Sequence, residues 1–415
     1  MRISTIAVLL AAQACCHSMA AADDWPQFRG PTGQGHSAAK GLPLEWTATE
    51  NVVWKQPLPG TSWSSPAVYQ DRIYLTTAVA AGEEPKSDYS LRAVCLDAKS
   101  GKQIWDVEMF SQDGETAPRI HGKNSHASSS PIVNGGNLYV HFGHQGTACL
   151  GLDGKVIWRT RVDYAPVHGN GGSPALVDGA LVFSCDGHDK QLIVALNCTD
   201  GKTIWQAKRP TAAVKKFSFS TPLAIEVKGQ RQIISCGSDM VCALDSKTGD
   251  EVWRVAYKGY SVIPRPVFGH GLVFISTSFD SPDVLAIRVD GRGDVTDSHV
   301  AWRLKKGAPH TASLLLVGDE LYMVSDRGIA TCVDAKKGTV HWQERIGGNY
   351  SASPLYAEGR VYFQSEQGTG IVVAASKQFK ELARNELDQR TLASYAVGDG
   401  ALFIRTASHL LRVQN

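Results

Sequence analysis

An all-β fold, specifically an eight-bladed β-propeller of four-stranded antiparallel blades, is predicted by three features of the sequence. A turn followed by a tryptophan recurs with a period of roughly fifty residues. A small-residue and proline step opens a strand in most of these periods, and the two ends of the repeat region carry fragments that complete one another. The 40 glycines, the ten tryptophans and the many Val, Ile and Thr residues suit short strands and tight turns rather than helices.

In chain order, the opening "MRISTIAVLLAAQACCHSMAAADDW" has one arginine, an apolar run from Ile3 to Ala14 and small residues ahead of Asp23 and Asp24. Residues 1–22 read as a secretory signal peptide with Ala20-Ala21-Ala22 as the cleavage site, which places the protein in the periplasm or outside the cell. Lipid attachment at Cys15 is the rival reading. The apolar run is too short to span a bilayer, and no later stretch does better. Residues 23–49 form an N-terminal extended segment, and 50–415 form the propeller.

The repeat is visible in "CLDAKSGKQIW" (95–105), "ALNCTDGKTIW" (195–205), "ALDSKTGDEVW" (243–253) and "CVDAKKGTVHW" (332–342), with "LGLDGKVIW" (150–158) a shortened copy. Trp105, Trp158, Trp205, Trp253, Trp302 and Trp342 follow one another at intervals of 53, 47, 48, 49 and 40 residues, which suits four short strands per unit. Within the unit, Asp245 can bond back onto its turn, Gly249 supplies a positive φ, and the Trp253 ring packs against the neighbouring blade. Steps such as "SSPAVY" from Ser64, "SSPIVN" from Ser129 and "STPLAI" from Ser220 open first strands, where proline's missing N–H is not needed. Turns such as "NGGN", "VDGA" and "AEGR" then lead into second strands.

Eight units start near Ser64, Ser129, Gly172, Ser220, Pro264, Ala312, Ser351 and Ala393. The last has three strands and no tryptophan-bearing fourth. "ENVVWKQPL", from Glu50 to Leu58, holds an orphan Trp54 in the right context, so it is predicted to supply the missing outer strand and close the ring without open edges. Seven of the nine cysteines follow residue 22. Cys95 and Cys332 stand where other units have Ala195 and Ala243, so a small buried side chain is wanted there rather than a disulfide. Pairing of Cys185 with Cys198 or Cys236 stays open.

These units resemble those of the PQQ-like β-propeller repeat family, which includes quinoprotein dehydrogenases and the outer-membrane assembly factor BamB. The likeness covers about residues 46–415. The segment "DWPQFRGPTGQG" resembles the start of secreted bacterial PQQ-binding-like repeat proteins. Fold does not carry chemistry with it, so function rests on the site.

With 42 Lys and Arg against 40 Asp and Glu, the net charge is +2, which does not suggest binding to nucleic acid or an anionic membrane. Loops on one face are short, whereas 76–93, 111–129, 142–147, 163–172 and 185–191 are longer and irregular; the functional face is expected there. The candidate binding residues converge on a channel funnel: Trp63, His121, Lys123, His126, His168, Asn170, Arg265, His310 and Tyr350, with His144, His188 and Asp189 nearby. Arg265 and Lys123 are the expected charge partners of an anionic or polar ligand; the plainer reading is a solvated channel mouth. Trp63 is the one aromatic placed in the funnel. His141 and His144, three apart in an extended stretch, are expected to face opposite ways. No HExxH, CxxC, CxxCH or G-x-S-x-G motif appears, so neither a metal nor a catalytic residue is expected.

The resemblance implies that a quinone enzyme would carry a vicinal disulfide, a Trp platform and calcium held by acidic and amide groups. The single Cys-Cys pair, Cys15-Cys16, lies in the segment expected to be removed. The expectation is therefore a monomeric, exported cell-envelope binding or scaffold propeller, non-enzymatic and without a cofactor. Its partner would be an envelope protein or a small polar ligand. The alternatives are a periplasmic PQQ-dependent oxidoreductase, with PQQ and calcium, or a carbohydrate-binding propeller.

Overall fold

A computed structural model describes residues 24–82 and 87–415; the proposed signal peptide, with Cys15, lies outside them. Eight sheets occupy residues 67–112, 132–160, 175–208, 223–256, 267–304, 315–345, 355–386 and 396–413, numbered here as blades 1 to 8. Within each, consecutive strands pair antiparallel. The last blade is completed by Val52–Pro57, which lies antiparallel to His409–Val413 with Trp54 opposite Arg412 and Gln56 opposite Leu410. Closure by the N-terminal strand is thus as the sequence predicts.

The recurrent tryptophans pin each blade to the next. Indole N–H groups of Trp54, Trp105, Trp158, Trp205, Trp302 and Trp342 donate to the carbonyls of Ala98, Leu152, Cys198, Ser246, Ala335 and Ser376, at 2.8–3.2 Å. Each acceptor sits in the turn before the following blade's outer strand. In five of these junctions the ring lies on that turn's glycine, as Trp205 lies on Gly249. A Cβ at Gly249 would stand 2.6 Å from the ring, and its φ of +76° disfavours any side chain. Gly249→Ala is expected to lower unfolding free energy by about 1–3 kcal/mol in urea denaturation. Gly179 has the same φ of +76° with no atom near its missing Cβ, so Gly179→Ala should show only the smaller backbone part; equal losses would remove the ring contact from the explanation.

Trp253 departs from this scheme. Its ring packs in a cluster shared by blades 4 and 5, as expected, but its N–H donates to Gln232 Oε1 of its own blade at 3.1 Å. Blade 5 replaces the usual turn with a longer excursion. Gly293–Asp294 adds a fifth, parallel strand to blade 4 opposite Trp253 and Arg254, and Thr296–His299 forms one helical turn. The four-stranded plan of the blades holds, and this excursion adds Val295 to the cluster that contains Val252 and Trp253.

Residues 24–46 cross the face that carries the first-to-second strand turns. Trp25 exchanges both backbone hydrogen bonds with Val68 of blade 1, and Pro26 accepts from Val133 of blade 2. Gln34 Oε1 accepts from the Phe268 N–H of blade 5, Gly35 accepts from Tyr356 of blade 7, and the Trp46 N–H donates to Asn385 Oδ1. Trp25 and Trp46 are each 2% exposed, so the segment belongs to the core and not to a tail.

Candidate functional site

The position two residues before each first strand recurs as Ser65, Ser130, Ser173, Thr221, Ser313, Ser353 and Ser394, with Arg265 at the blade 5 position. Their small side chains allow the first strands to converge, and each hydroxyl accepts the backbone N–H of the preceding blade's counterpart. Ser65 donates to Ser130, Ser130 to Ser173, Ser173 to Thr221, Arg265 to Ser313, Ser313 to Ser353, Ser353 to Ser394, and Ser394 back to Ser65, at 2.9–3.1 Å. Only the step from Thr221 to Arg265 is open, because arginine offers no acceptor. The ring satisfies buried backbone donors and holds the channel wall rigid.

Above this ring lies a cavity of about 300 Å³, with Phe28 of the N-terminal segment lining its closed end. One side carries an arc of rings: His121, His168, Phe217, Tyr260, Phe279 and His310 follow one another at centroid distances of 5.1–6.2 Å. Such edge and tilted contacts keep the rings in place while leaving faces for a ligand. Sequence reasoning found the histidines and missed Phe217, Phe219, Tyr260 and Phe279. The alternation in "KFSFST" was the available signal: Phe217, Phe219 and Thr221 line the cavity, while Ser218 and Ser220 bond to the Val262 and Pro264 carbonyls.

The long loop before blade 2 reaches across the mouth. Asn124 Nδ2 donates to the His168 carbonyl at 2.9 Å, Arg390 donates to the Gly122 carbonyl at 3.0 Å, and the Lys123 ammonium meets Glu366 at 2.6 Å and Asp326 at 3.9 Å. Arg390 also lies over the Trp63 ring, 5.3 Å from its centroid. Lys123, expected to face an anionic ligand, is already neutralised by acids of blades 6 and 7. That correction follows from ring closure, which brings the first and last thirds of the chain together.

Trp63, His121, Lys123 and His168 line the cavity. Burial and the neighbouring His121 hold the His168 imidazole below its ordinary pKa. His310 borders it through the ring contact to Phe279 and is tied to Asp326, whose carboxylate accepts the His310 and Thr311 N–H groups. Asn170 is spent on Ser129 Oγ at 2.7 Å, and His126 stacks on Tyr89 at 4.3 Å. Tyr350 is fully buried within blades 6 and 7, which pushes its phenol up, and so it is not a funnel residue. Arg265 also leaves the funnel: its guanidinium donates to the carbonyls of Phe28 and Pro222 on the closed side. His188 is exposed, and Asp189 accepts the Ala165 N–H. His141 and His144 do not share an extended stretch, because Gly143–Gln145 forms a 3-10 turn.

The seven described cysteines are free thiols, so the pairing left open for Cys185 is not made. Burial pushes Cys95, Cys149 and Cys332 up to about 12, which makes them poor nucleophiles. A calcium-held quinone would need several oxygen donors on one point. Among the described residues no three His, Cys, Asp or Glu side chains converge. The funnel carboxylates Asp326 and Glu366 already serve Lys123, Thr311 and Ser351. The side chains as arranged do not fit that group.

A family model described as outer membrane protein assembly factor BamB matches residues 39–187, 92–293 and 292–409. Outer membrane protein assembly factor BamB of Nitrosomonas eutropha is 27% identical over 215 residues, 51% of this chain and 44% of that protein. The BamB of Yersinia pestis is 25% identical over 179 residues, 40% and 42% of the two chains. Methanol dehydrogenase [cytochrome c] subunit 1 of Methylorubrum extorquens is 29% identical over 161 residues, 33% of this chain and 24% of that protein. The chain therefore spans less than half the length of these curated relatives. Among solved structures, BamB from Moraxella catarrhalis superposes with a TM-score of 0.60 at 13% identity, covering 87% of this chain and 99% of that one. A europium-containing methanol dehydrogenase superposes with a TM-score of 0.64 at 11% identity, covering 94% and 91%. Both likenesses are of fold.

Proposed function

The chain belongs to the family described as outer membrane protein assembly factor BamB, and from that premise we propose that it is an exported cell-envelope scaffold that binds a partner through its loop-rich face without turning it over. One observation carries this reading: the cations Lys123 and Arg390 at the funnel mouth already have partners, Lys123 in Glu366 and Arg390 in the Gly122 carbonyl. What remains for a partner is an aromatic arc above a ring of hydroxyls whose backbone contacts are already made. That surface suits an apolar or aromatic group presented by a protein, since rings supply contact area at low conformational cost. No helix among the described residues is long and apolar enough to cross a membrane.

The methanol dehydrogenase likeness sustains the second reading, an oxidoreductase loaded with PQQ and calcium. One experiment separates the two. Purified protein is titrated with PQQ and calcium, then assayed for quinone absorbance and for dye reduction with alcohols or sugars; in parallel, the protein and a Phe217→Ser, Tyr260→Ser double variant are used to retain partners from an envelope extract. The scaffold reading expects one specific protein held by the unaltered chain and lost from the variant, with no saturable quinone signal. Saturable quinone binding with turnover overturns it. Tight binding of an oligosaccharide without a protein partner favours a carbohydrate-binding propeller instead.

A further inference from the structure

Blade 4 carries, within its own chain, an example of what an outer blade edge accepts. The fourth strand of each blade ends its sheet, and among the described residues only that of blade 4 has a further strand beside it. Gly293–Asp294 lies parallel to it, with Gly293 opposite Trp253 and Asp294 opposite Arg254. Three contacts hold the added strand. The Val295 N–H donates to the Arg254 carbonyl at 3.0 Å, the Ala256 N–H donates to Thr296 Oγ1 at 2.9 Å, and the Asp294 carboxylate meets Arg254 Nε at 3.3 Å. Val295 joins the apolar cluster that contains Val252, which is left 7% exposed.

Blade 2 repeats that edge without a strand on it. In its outer strand, Val156–Thr160, Trp158 is opposite Cys149 and Arg159 opposite Ala148, as Trp253 is opposite Ala243 and Arg254 opposite Cys242. The ladder irregularity also falls at the same step in both blades. Equal register turns the Arg159 carbonyl outward, as the Arg254 carbonyl is turned. Ile157 stands at the place of Val252 and is 53% exposed. Arg159 is exposed too; its Nη2 donates to the Glu108 carbonyl at 3.0 Å, and among the described residues no carboxylate lies within ion-pair distance of it. The other edges each lack a part of this set. Blade 8 has Pro57, without an N–H, at the place of Ala256, and blade 5 has Ala301 at the place of Val252. Blades 3 and 6 have Gln206 and Gln343 where the arginine would stand, and blade 1 has Asp106, already bonded to Arg92. Blade 7 has Ala383 in place of the tryptophan.

We propose that the outer edge of blade 2 docks an extended segment of a partner protein as a parallel strand, with an acidic residue opposite Arg159 and a β-branched apolar residue after it on Ile157. Backbone bonds to the open edge supply the attachment, and side chains on the added strand select the occupant. Charge selects the acid: Arg159 and Arg161 stand at the end of this strand, and the occupant of blade 4 sets Asp294 against Arg254. The fourth strands are the ones farthest from the channel, so this site and the funnel surface proposed above stand or fall separately.

The probe is a synthetic peptide of residues 291–299, "GRGDVTDSH", with blocked ends, which contains the strand that blade 4 already holds. It is titrated into the full chain labelled at its isoleucine methyl groups and followed by NMR. The Ile157 signal is expected to shift saturably, while Ile104 and Ile204, exposed at the corresponding places of blades 1 and 3, stay where they are. Arg159→Glu should weaken binding about fivefold, and an Asp294→Arg version of the peptide should bind that variant more tightly than it binds the unaltered chain. Ile157→Thr, which leaves the charge in place, should weaken binding as well. Equal shifts at all three isoleucines, no saturation, or a loss in Arg159→Glu that the reversed peptide does not recover overturns the proposal. So does self-association of the unaltered chain that Ile157→Thr abolishes, because the edge then belongs to a second copy.

Discussion

Replacing Asp186 by alanine is expected to lower the unfolding free energy by about 3–5 kcal/mol, the range for stripping the partner from a buried charge. Asp186 closes the second strand of blade 3, and Arg209 directly follows that blade's fourth; neither side chain is exposed to solvent. Arg209 also crosses to blade 4, donating to the Ser235 carbonyl at 3.1 Å and to Ser235 Oγ at 2.8 Å, in space that Gly237 leaves free. Without Asp186 the guanidinium keeps its neutral acceptors and loses its counter-charge. Pairing Asp186→Leu with Arg209→Met removes both charges and should recover most of the loss. Urea denaturation of the two variants checks this, with Asp153→Ala as a control expected to change little, because its partner Lys155 is 88% exposed. A single variant within 1 kcal/mol of the parent, or a double variant as weak as the single, would sink the argument.

A steep loss of stability on mild acidification is expected from the interior of blade 2. His141 is 1% exposed, packs its ring 4.3 Å from that of Phe183 and bonds through Nδ1 to Thr147 Oγ1, while Nε2 has no partner. Burial, with His144 adding to it, lowers its pKa to about 3; burial and Arg161 lower His144 to about 4. Both imidazoles are therefore neutral in the folded chain and take up protons on unfolding below pH 6.5, the ordinary histidine value. Stability from this source is whole above pH 6.5 and declines as pH falls towards 3–4. For His141 the full decline is on the order of 5 kcal/mol. Unfolding free energy measured at pH 7, 5.5 and 4.5 should fall more steeply for the parent than for His141→Gln. The slope, rather than the absolute stability of the variant, is the readout; parallel curves would refute the assignment.

Much of the ring was legible before any coordinates. Turn chemistry and strand alternation act over a few residues, so Asp245, Gly249 and the proline-led strand entries could be read in place; Asp245 Oδ1 does accept from Lys247 and Thr248, at 2.9 and 3.1 Å. The tryptophan pins are longer in reach, yet repetition made them visible, because every junction poses the same packing problem. Trp253 shows where that inference fails: its junction faces a turn unlike the others, and its N–H stays within the blade. The hydroxyl ring was half legible, since the serines were noticed as small residues and not as acceptors.

The candidate site was legible only as a region. Loop length pointed to the face on which Trp63, His121, Lys123 and His168 meet around one cavity. The aromatic arc was missed because its rings lie in segments that look individually unremarkable and become neighbours only around a closed ring.

From the sequence alone came the all-β architecture, the eight units, the strand that closes them and the face with long loops, because those follow from local backbone preferences repeated along the chain. Tertiary structure alone decided where the charges go. Lys123 meets Glu366, Arg265 turns to the Phe28 carbonyl, and Tyr350 sinks between blades. A charged side chain settles by distance and dielectric, and both are set by segments far away in sequence.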